Sequence, residues 1–351
     1  MDYAEIIERL LLILTIFGIT LGVATYLTYI ERKVAAFLQD RLGPDRAGPW
    51  GLLQPIADAG KMFFKEDFTP AASERMLFII GPGIAMFTAC MTGAVVPWGP
   101  VVQLFGREVD LQIANVDIGV LYVMGMVSVG VYGIMIGGWA SNNKYSLYGA
   151  IRASSQMISY ELGMGLALIA VIMLSGSLNL RDIVTGQSGD LYGISALPAG
   201  MDWNIFYQPV GFLIFFTCAL AECNRAPFDL PECETELVGG YHTEYSSMKL
   251  GFYLFAEYIN MFISSAIVAT VYFGGYTFPG MWKIGDPTLM GLIGAGVLFA
   301  KIAFFIFVFM WIRWTLPRFR YDQLMHLGWK VLIPLAVFNM LLTGGFSLLF
   351  S

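Results

Sequence analysis

The stretch RAPFDLPECETELVGGYHTEY, residues 225–245, sets five carboxylates, Asp229, Glu232, Glu234, Glu236 and Glu244, beside one arginine. Charge is otherwise scarce: the 351-residue chain is 57% hydrophobic and 13% charged. Three more acids fall in or at the end of apolar runs, Glu161 in QMISYELGMG, Glu222 in CALAECNRAP and Glu257 in LFAEYINM. A carboxylate lodged near hydrocarbon costs about 2.5–3.5 kcal/mol on insertion scales, so each should face the protein interior and either pair or protonate. Burial and neighbouring negative charge both favour the neutral acid, and together they can bring a carboxyl to titrate near neutral pH. Such groups can exchange protons.

The spacing leaves a second reading open. Pro231 suits the first turn of a helix that would put Glu232 and Glu236 on one face, with Asp229 ahead of the turn and Glu234 on another face. Acids at a helix N-terminus gain about 0.3–1 kcal/mol each, which accounts for one or two but not for five, because like charges four apart repel. The cluster therefore reads either as a proton- or ion-conducting array or as a structural network with Arg225, Arg152 and Lys249. Lys301, the lone base in its apolar run, can snorkel, pair with a buried glutamate or carry protons. His242 and His326 read as ordinary histidines of the inner face. Cys90, Cys218, Cys223 and Cys233 form no CxxC pair and, with only two histidines, give no zinc or iron–sulfur ligand set; the thiols read as small buried apolar groups.

The elements that must position these acids are membrane spans. A mean hydropathy of +0.67 with 27 phenylalanines is more apolar surface than a soluble globule can hide. Apolar runs of roughly 18 residues or more, each able to cross a bilayer as a helix, recur along the chain. There are eight, at about 10–30, 76–97, 118–140, 157–178, 205–223, 251–274, 289–312 and 329–350. The expected fold is an all-α integral membrane protein, a single transmembrane domain over 1–351. Fifteen lysines and arginines fall on one side of these spans and four on the other, with Lys301 inside one, so both termini should face outward. The leading residues MDYAEIIER are mostly acidic, unlike a signal peptide. The net charge of −6 says little about soluble partners, since charge is sorted by side, and nothing points to nucleic acid.

Two inner connections stand out, 31–75 and the acidic segment 222–250. In the first, Leu52, Leu53, Ile56, Ala59, Met62 and Phe63 recur at helical spacing with Asp58, Lys61 and Lys65 on the remaining arc, which predicts an amphipathic helix lying on the membrane surface. The outer connections read as loops. Gly18 and Gly22 have the spacing that lets membrane helices approach closely. No internal repeat, nucleotide-binding glycine fingerprint or nucleophile–base constellation is present in the sequence.

The segments ERKVAAFLQDRLGPDRAGPWGLLQPIADAGKMFFKE, GGWASNNKYSLYGAIRASSQMISYELGMG, AECNRAPFDLPECETELVGGYHTEYSSMKLGFYLFAEY and LPRFRYDQLMHLGWKVLIPL resemble, from about residue 25 to 345, the H-type family of membrane subunits in respiratory complex I. The resemblance implies eight tilted transmembrane helices plus an amphipathic surface helix after the first, forming the membrane side of the quinone chamber of an NADH:quinone oxidoreductase. It implies ubiquinone or menaquinone as substrate, with FMN and iron–sulfur clusters in partner subunits and no cofactor on this chain. The implied partners are the peripheral-arm subunits of the quinone site and adjacent small membrane subunits, in a prokaryotic cytoplasmic membrane. By the same resemblance Arg32, Gln54, Pro55, Ala57, Asp58 and Phe228 lie on or near the quinone path. Glu161, Glu222, Asp229, Glu232, Glu234, Glu236, Glu244 and Glu257 then form a funnel of protonatable groups that couples quinone reduction to proton translocation. One departure stands out: some relatives carry a further glutamate in the third span, and VLYVMGMVSVGVYGIMIGGW has none, so water or a neighbouring subunit would have to complete the relay. The same module occurs in membrane-bound hydrogenases and in ferredoxin- or deazaflavin-dependent complexes, although GYHTEYSSMK and PRFRYDQLM fit the complex I branch better. A passive membrane anchor for the peripheral arm is the third alternative.

Overall fold

A computed structural model describes residues 3–104, 107–188, 202–230, 234–281 and 286–350. Seven of its helices are long and apolar enough to cross a membrane: α1 (Tyr3–Leu38), α3 (Arg75–Thr92), α4 (Gly119–Ala140), α5 (Lys144–Ser175), α10 (Ser247–Tyr272), α11 (Pro287–Thr315) and the last helical stretch, α12 (Tyr321–His326) running through a π turn, Leu327–Leu332, into α13 (Ile333–Phe350). The chain is thus an all-α integral membrane protein. The eighth apolar helix, α8 (Pro209–Glu222), has 14 residues, or about 21 Å, against a hydrocarbon core of about 30 Å. The continuous run expected over 205–223 is interrupted at Gln208, where α7 (Asn204–Tyr207) ends and Pro209 starts α8 in the first turn, whose N–H groups have no intrahelical partner.

The expected surface helix is α2 (Gln54–Phe64), started by Pro55 and reached through a turn in which Gly51 takes φ 81° and Trp50 φ 53°. The Tyr29 hydroxyl donates to the Trp50 carbonyl at 2.6 Å and ties that turn to α1. Of the polar connections read as plain loops, one carries a two-stranded hairpin, β1 (Val101–Leu104) with β2 (Arg107–Asp110) antiparallel, and another a short helix, α6 (Leu180–Gly186). Arg181 pairs with Asp110 and joins the two. Arg9, near the start of α1, donates to the Ile113 carbonyl at 3.0 Å, so the first turns of α1 lie on the same side as the hairpin.

α10 is the most enclosed long helix and packs on α1, α3, α8 and α11. The tightest approach uses small residues, though not Gly18 and Gly22, which have open space where a Cβ would go. On α4 a Cβ at Gly133 would sit 2.8 Å from the Ala85 backbone, and one at Gly137 would sit 1.9 Å from the Tyr253 hydroxyl. This pair, four apart on one face, lets α4 lie directly on α3 beneath α10.

Candidate functional site

The acids hang from three elements. Glu257 lies about two-fifths along α10, Glu222 ends α8, and Glu161 lies midway along α5. Glu257 and Glu222 are each 5% exposed, whereas Glu161 is half-buried and accepts a hydrogen bond from Ser128 of α4. The turn that follows α8 is held over α5 by Gln156, whose amide donates to the carbonyls of Ala221 and Phe228, both at 2.8 Å. The same turn carries Arg225, Phe228 and Asp229 into the interior, with all three buried.

Two cavities flank this turn. The larger, about 280 Å³, lies between α1, α2 and α10 and is lined by Thr25, Thr28, Arg32, Pro55, Asp58, Tyr258, Arg225 and Arg313 among others. Asp58 is its anionic wall: Arg32 pairs with it at 2.6 Å, Gln54 donates to it at 2.9 Å and Lys61 stands 3.6 Å away. The smaller, about 40 Å³, lies between α3, α4 and α10 and is lined by Glu222, Glu257, Asn224, Tyr241, Tyr253 and Thr88. These polar groups sit in a mostly apolar lining, and the space is large enough for ordered water beside them. Tyr241 donates to Glu257 at 3.2 Å, and Glu222 Oε2 has no hydrogen-bond partner among the described residues.

Arg225 joins the two. It lines the larger cavity and stands 3.5 Å from Glu257, which lines the smaller, and 3.8 Å from Glu31. Glu31 is only 6% exposed; it also pairs with Arg313 and accepts from the Tyr258 hydroxyl at 2.9 Å. The Arg225 guanidinium lies 4.2 Å above the Tyr258 ring. Two carboxylates and two guanidiniums therefore share one buried cluster, where each charge relies on the others for its solvation. Nothing in the sequence singled out Glu31, which reads there as the polar end of an apolar run.

The remaining acids divide. Glu236 pairs at 2.6 Å with Arg152, one of the bases expected in a structural network, whereas Asp229 pairs at 2.7 Å with Arg318, which was not among them. Glu244 accepts from Asn143 at 2.6 Å, the residue whose side chain also caps α5. Lys249 pairs with Asp67 at 2.9 Å rather than with the acidic segment. Pro231 and Glu232 lie outside the described residues, and Glu234 opens a short helix, α9 (Glu234–Leu237). Among the residues expected on the quinone path, Arg32, Pro55 and Asp58 line the larger cavity and Gln54 braces Asp58. Ala57 is exposed elsewhere on α2, and Phe228 packs its ring against Tyr160 and Phe319, so neither lines that cavity. Tyr245, in the turn before α10, donates to the Phe78 carbonyl at 3.1 Å; burial pushes its hydroxyl up to about 12, keeping it a neutral donor.

Lys301 does none of the acid-pairing work open to it. Its ammonium donates to the carbonyls of Phe273, Gly275 and Thr277 at 2.7–2.8 Å and faces the Trp203 ring at 4.9 Å, closing the C-terminal end of α10.

Multiple apolar spans enclosing buried, clustered carboxylates and arginines define a multi-pass membrane protein built to hold charge in its interior. A family model described as NADH dehydrogenase matches residues 10–344. The chain is 59% identical over 354 residues to the H subunit of NADH-quinone oxidoreductase from Flavobacterium psychrophilum, covering 100% of both chains. It is 58% identical over 346 residues to the H 1 subunit of the same enzyme from Cytophaga hutchinsonii, covering 98% of both. It is 47% identical over 335 residues to the NADH-quinone oxidoreductase subunit 8 of Rhodothermus marinus, covering 93% of this chain and 94% of that one. The chain belongs to the NADH dehydrogenase family, among the H subunits of NADH-quinone oxidoreductase.

Proposed function

We propose that this chain forms the membrane side of the quinone chamber in a proton-pumping NADH:quinone oxidoreductase and couples quinone reduction to proton translocation. The observation that carries the reading is Arg225, one buried cation that borders the larger cavity and lies beside Glu257 in the smaller. The quinone's isoprenoid tail enters from hydrocarbon between α1 and α2, and its head meets the polar wall of Arg32, Asp58, Arg225 and Arg313, with Gln54 and Pro55 shaping that wall. Ala57, exposed on α2, borders the path where partner subunits complete it, and Phe228, buried in the same turn as Arg225, supports that wall from behind. Electrons arriving at the head create negative charge that attracts Arg225. Its hold on Glu257 weakens, and Glu257 takes up a proton. Glu222 shares that cavity and feels the charge of Glu161, so the disturbance passes along the buried acids. The acids of the inner segment, Asp229, Glu232, Glu234, Glu236 and Glu244, supply and collect protons for the series.

In this reading FMN and the iron–sulfur clusters belong to peripheral-arm partners, small membrane subunits adjoin α4 and α5, and the protein lies in a prokaryotic cytoplasmic membrane with both termini outward. The names of the relatives favour an NADH-linked enzyme over a hydrogenase or a ferredoxin-dependent complex. The test is Glu257→Gln in the assembled enzyme. NADH oxidation with an artificial acceptor should persist while quinone reduction falls about tenfold or more, a barrier increase of about 1.4 kcal/mol. Wild-type quinone reduction would overturn the coupling role, and loss of assembly would favour a passive anchor.

A further inference from the structure

The third span, α4, carries no carboxylate, yet one of its hydroxyls meets the acid chain. We propose that Ser128 is a proton-relay residue that passes protons between Glu161 and the flank of the helix bundle. The inference rests on the proton role proposed above for Glu161.

Ser128 Oγ lies within hydrogen-bonding reach of both the Glu161 carboxylate and the Met124 carbonyl, the latter at 3.0 Å. A hydroxyl has one hydrogen to give and two lone pairs to accept with. When Glu161 is ionised, the hydroxyl donates to it. When Glu161 is protonated, the carboxyl donates to Oγ and the serine hydrogen turns to the Met124 carbonyl. The hydroxyl therefore has a satisfied orientation for each protonation state of its neighbour, and it takes the Glu161 proton when its own hydrogen turns from the Met124 carbonyl to an outside acceptor. A serine that only capped its own helix would need the carbonyl alone.

The burial gradient gives the direction. Glu222 is 5% exposed and feels the charge of Glu161, while Glu161 and Ser128 are both half-buried, so the series leads from the interior toward the flank of α4 and α5. The other hydroxyls of α4 do not substitute: Tyr122 donates to the Met91 carbonyl at 3.3 Å, and Tyr132 is 62% exposed. In the transfer, the carboxyl proton of Glu161 passes to Oγ as the proton of Ser128 leaves for a carboxylate or water at the boundary with the adjoining membrane chain. Glu161 is left as carboxylate, serine is neutral again, and no electrons move.

The experiment uses the whole enzyme in proteoliposomes with Ser128→Thr, Ser128→Val and Glu161→Gln. Threonine and valine have nearly the same shape and differ in the hydroxyl, so packing effects cancel between them. Assembly is read from NADH oxidation with an artificial acceptor. Coupled quinone reduction should fall about tenfold in S128V and in E161Q and stay within about twofold of wild type in S128T. The solvent deuterium isotope effect should change in S128V only relative to S128T, and the infrared carboxyl band lost in E161Q should be shifted in S128V. Equal turnover, isotope effect and carboxyl band in S128T and S128V, with E161Q impaired, would overturn the role of Ser128 and leave that of Glu161 standing. Wild-type behaviour of E161Q would overturn both.

Discussion

Glu31 takes its importance from side chains that reach it across long loops of chain: Arg313 is 282 positions away, and Tyr258 is 227. In the sequence it is one acid ahead of Arg32 and Lys33, a pattern that fits any helix leaving a membrane. Removing its charge takes from the buried Arg225 and the half-buried Arg313 a carboxylate that both of them face. Glu31→Gln should therefore destabilise the protein by about 3–5 kcal/mol. The thermal denaturation midpoint of the purified complex reports this, and Glu31→Gln combined with Arg313→Met should regain part of the loss. The acids within the spans, by contrast, were visible from cost alone, because a carboxylate beside hydrocarbon needs a reason. Residue types could not say which acids are ion-paired: Asp229 and Glu236 have arginine partners that come from elsewhere in the chain.

At the level of elements, the amphipathic period of 52–63 gave α2, and apolar run length gave seven of the spans. Run length failed at α8, because hydropathy averages across Gln208 and cannot register a break; Pro209 was the available signal, being a residue suited to a helix start. Glycine spacing was equally blind to context, since Gly133 and Gly137 make the close crossing while Gly18 and Gly22 meet nothing. Lys301 shows how an element end can claim a charge. Three carbonyls at and beyond the end of α10 accept its three hydrogens, so its work is to hold that end and the turn through Gly274 and Gly275 in place. Lys301→Met should lower stability by roughly 2–4 kcal/mol, by analogy with lost charge-assisted hydrogen bonds. Proton pumping per quinone reduced should be unchanged, and a fall in that ratio would reinstate a proton-carrying lysine.

For the whole molecule, the arrangement separates a roomy cavity at the rim of α1, α2 and α10 from a small one holding Glu222 and Glu257 among α3, α4 and α10. The separation predicts separable kinetics. Gly251 lines the larger cavity, and a Cβ there would meet only the Met248 sulfur at 3.9 Å, so a longer side chain fits the backbone and fills the space. Gly251→Leu should raise KM for a long-tailed quinone by about tenfold with little change in kcat, whereas changes at Glu222 should lower kcat with KM preserved. A matching fall in kcat for Gly251→Leu would place the two cavities in one functional unit. The grouping of Arg32, Gln54, Pro55 and Asp58 at the larger cavity came from family resemblance; charge and periodicity alone described only a helix lying on a surface.

The shortness of α8 has its own bearing on the acid it carries. Gln208, at the far end from Glu222, is grasped by Asn339 and Thr343 of α13 at 2.7 and 2.6 Å. A helix that does not reach both headgroup layers cannot take its height from them. The vertical position of Glu222 is thus hung from a neighbouring helix by side-chain amides and a hydroxyl, so it should follow α13 rather than the headgroups when the surrounding lipid thickens or thins.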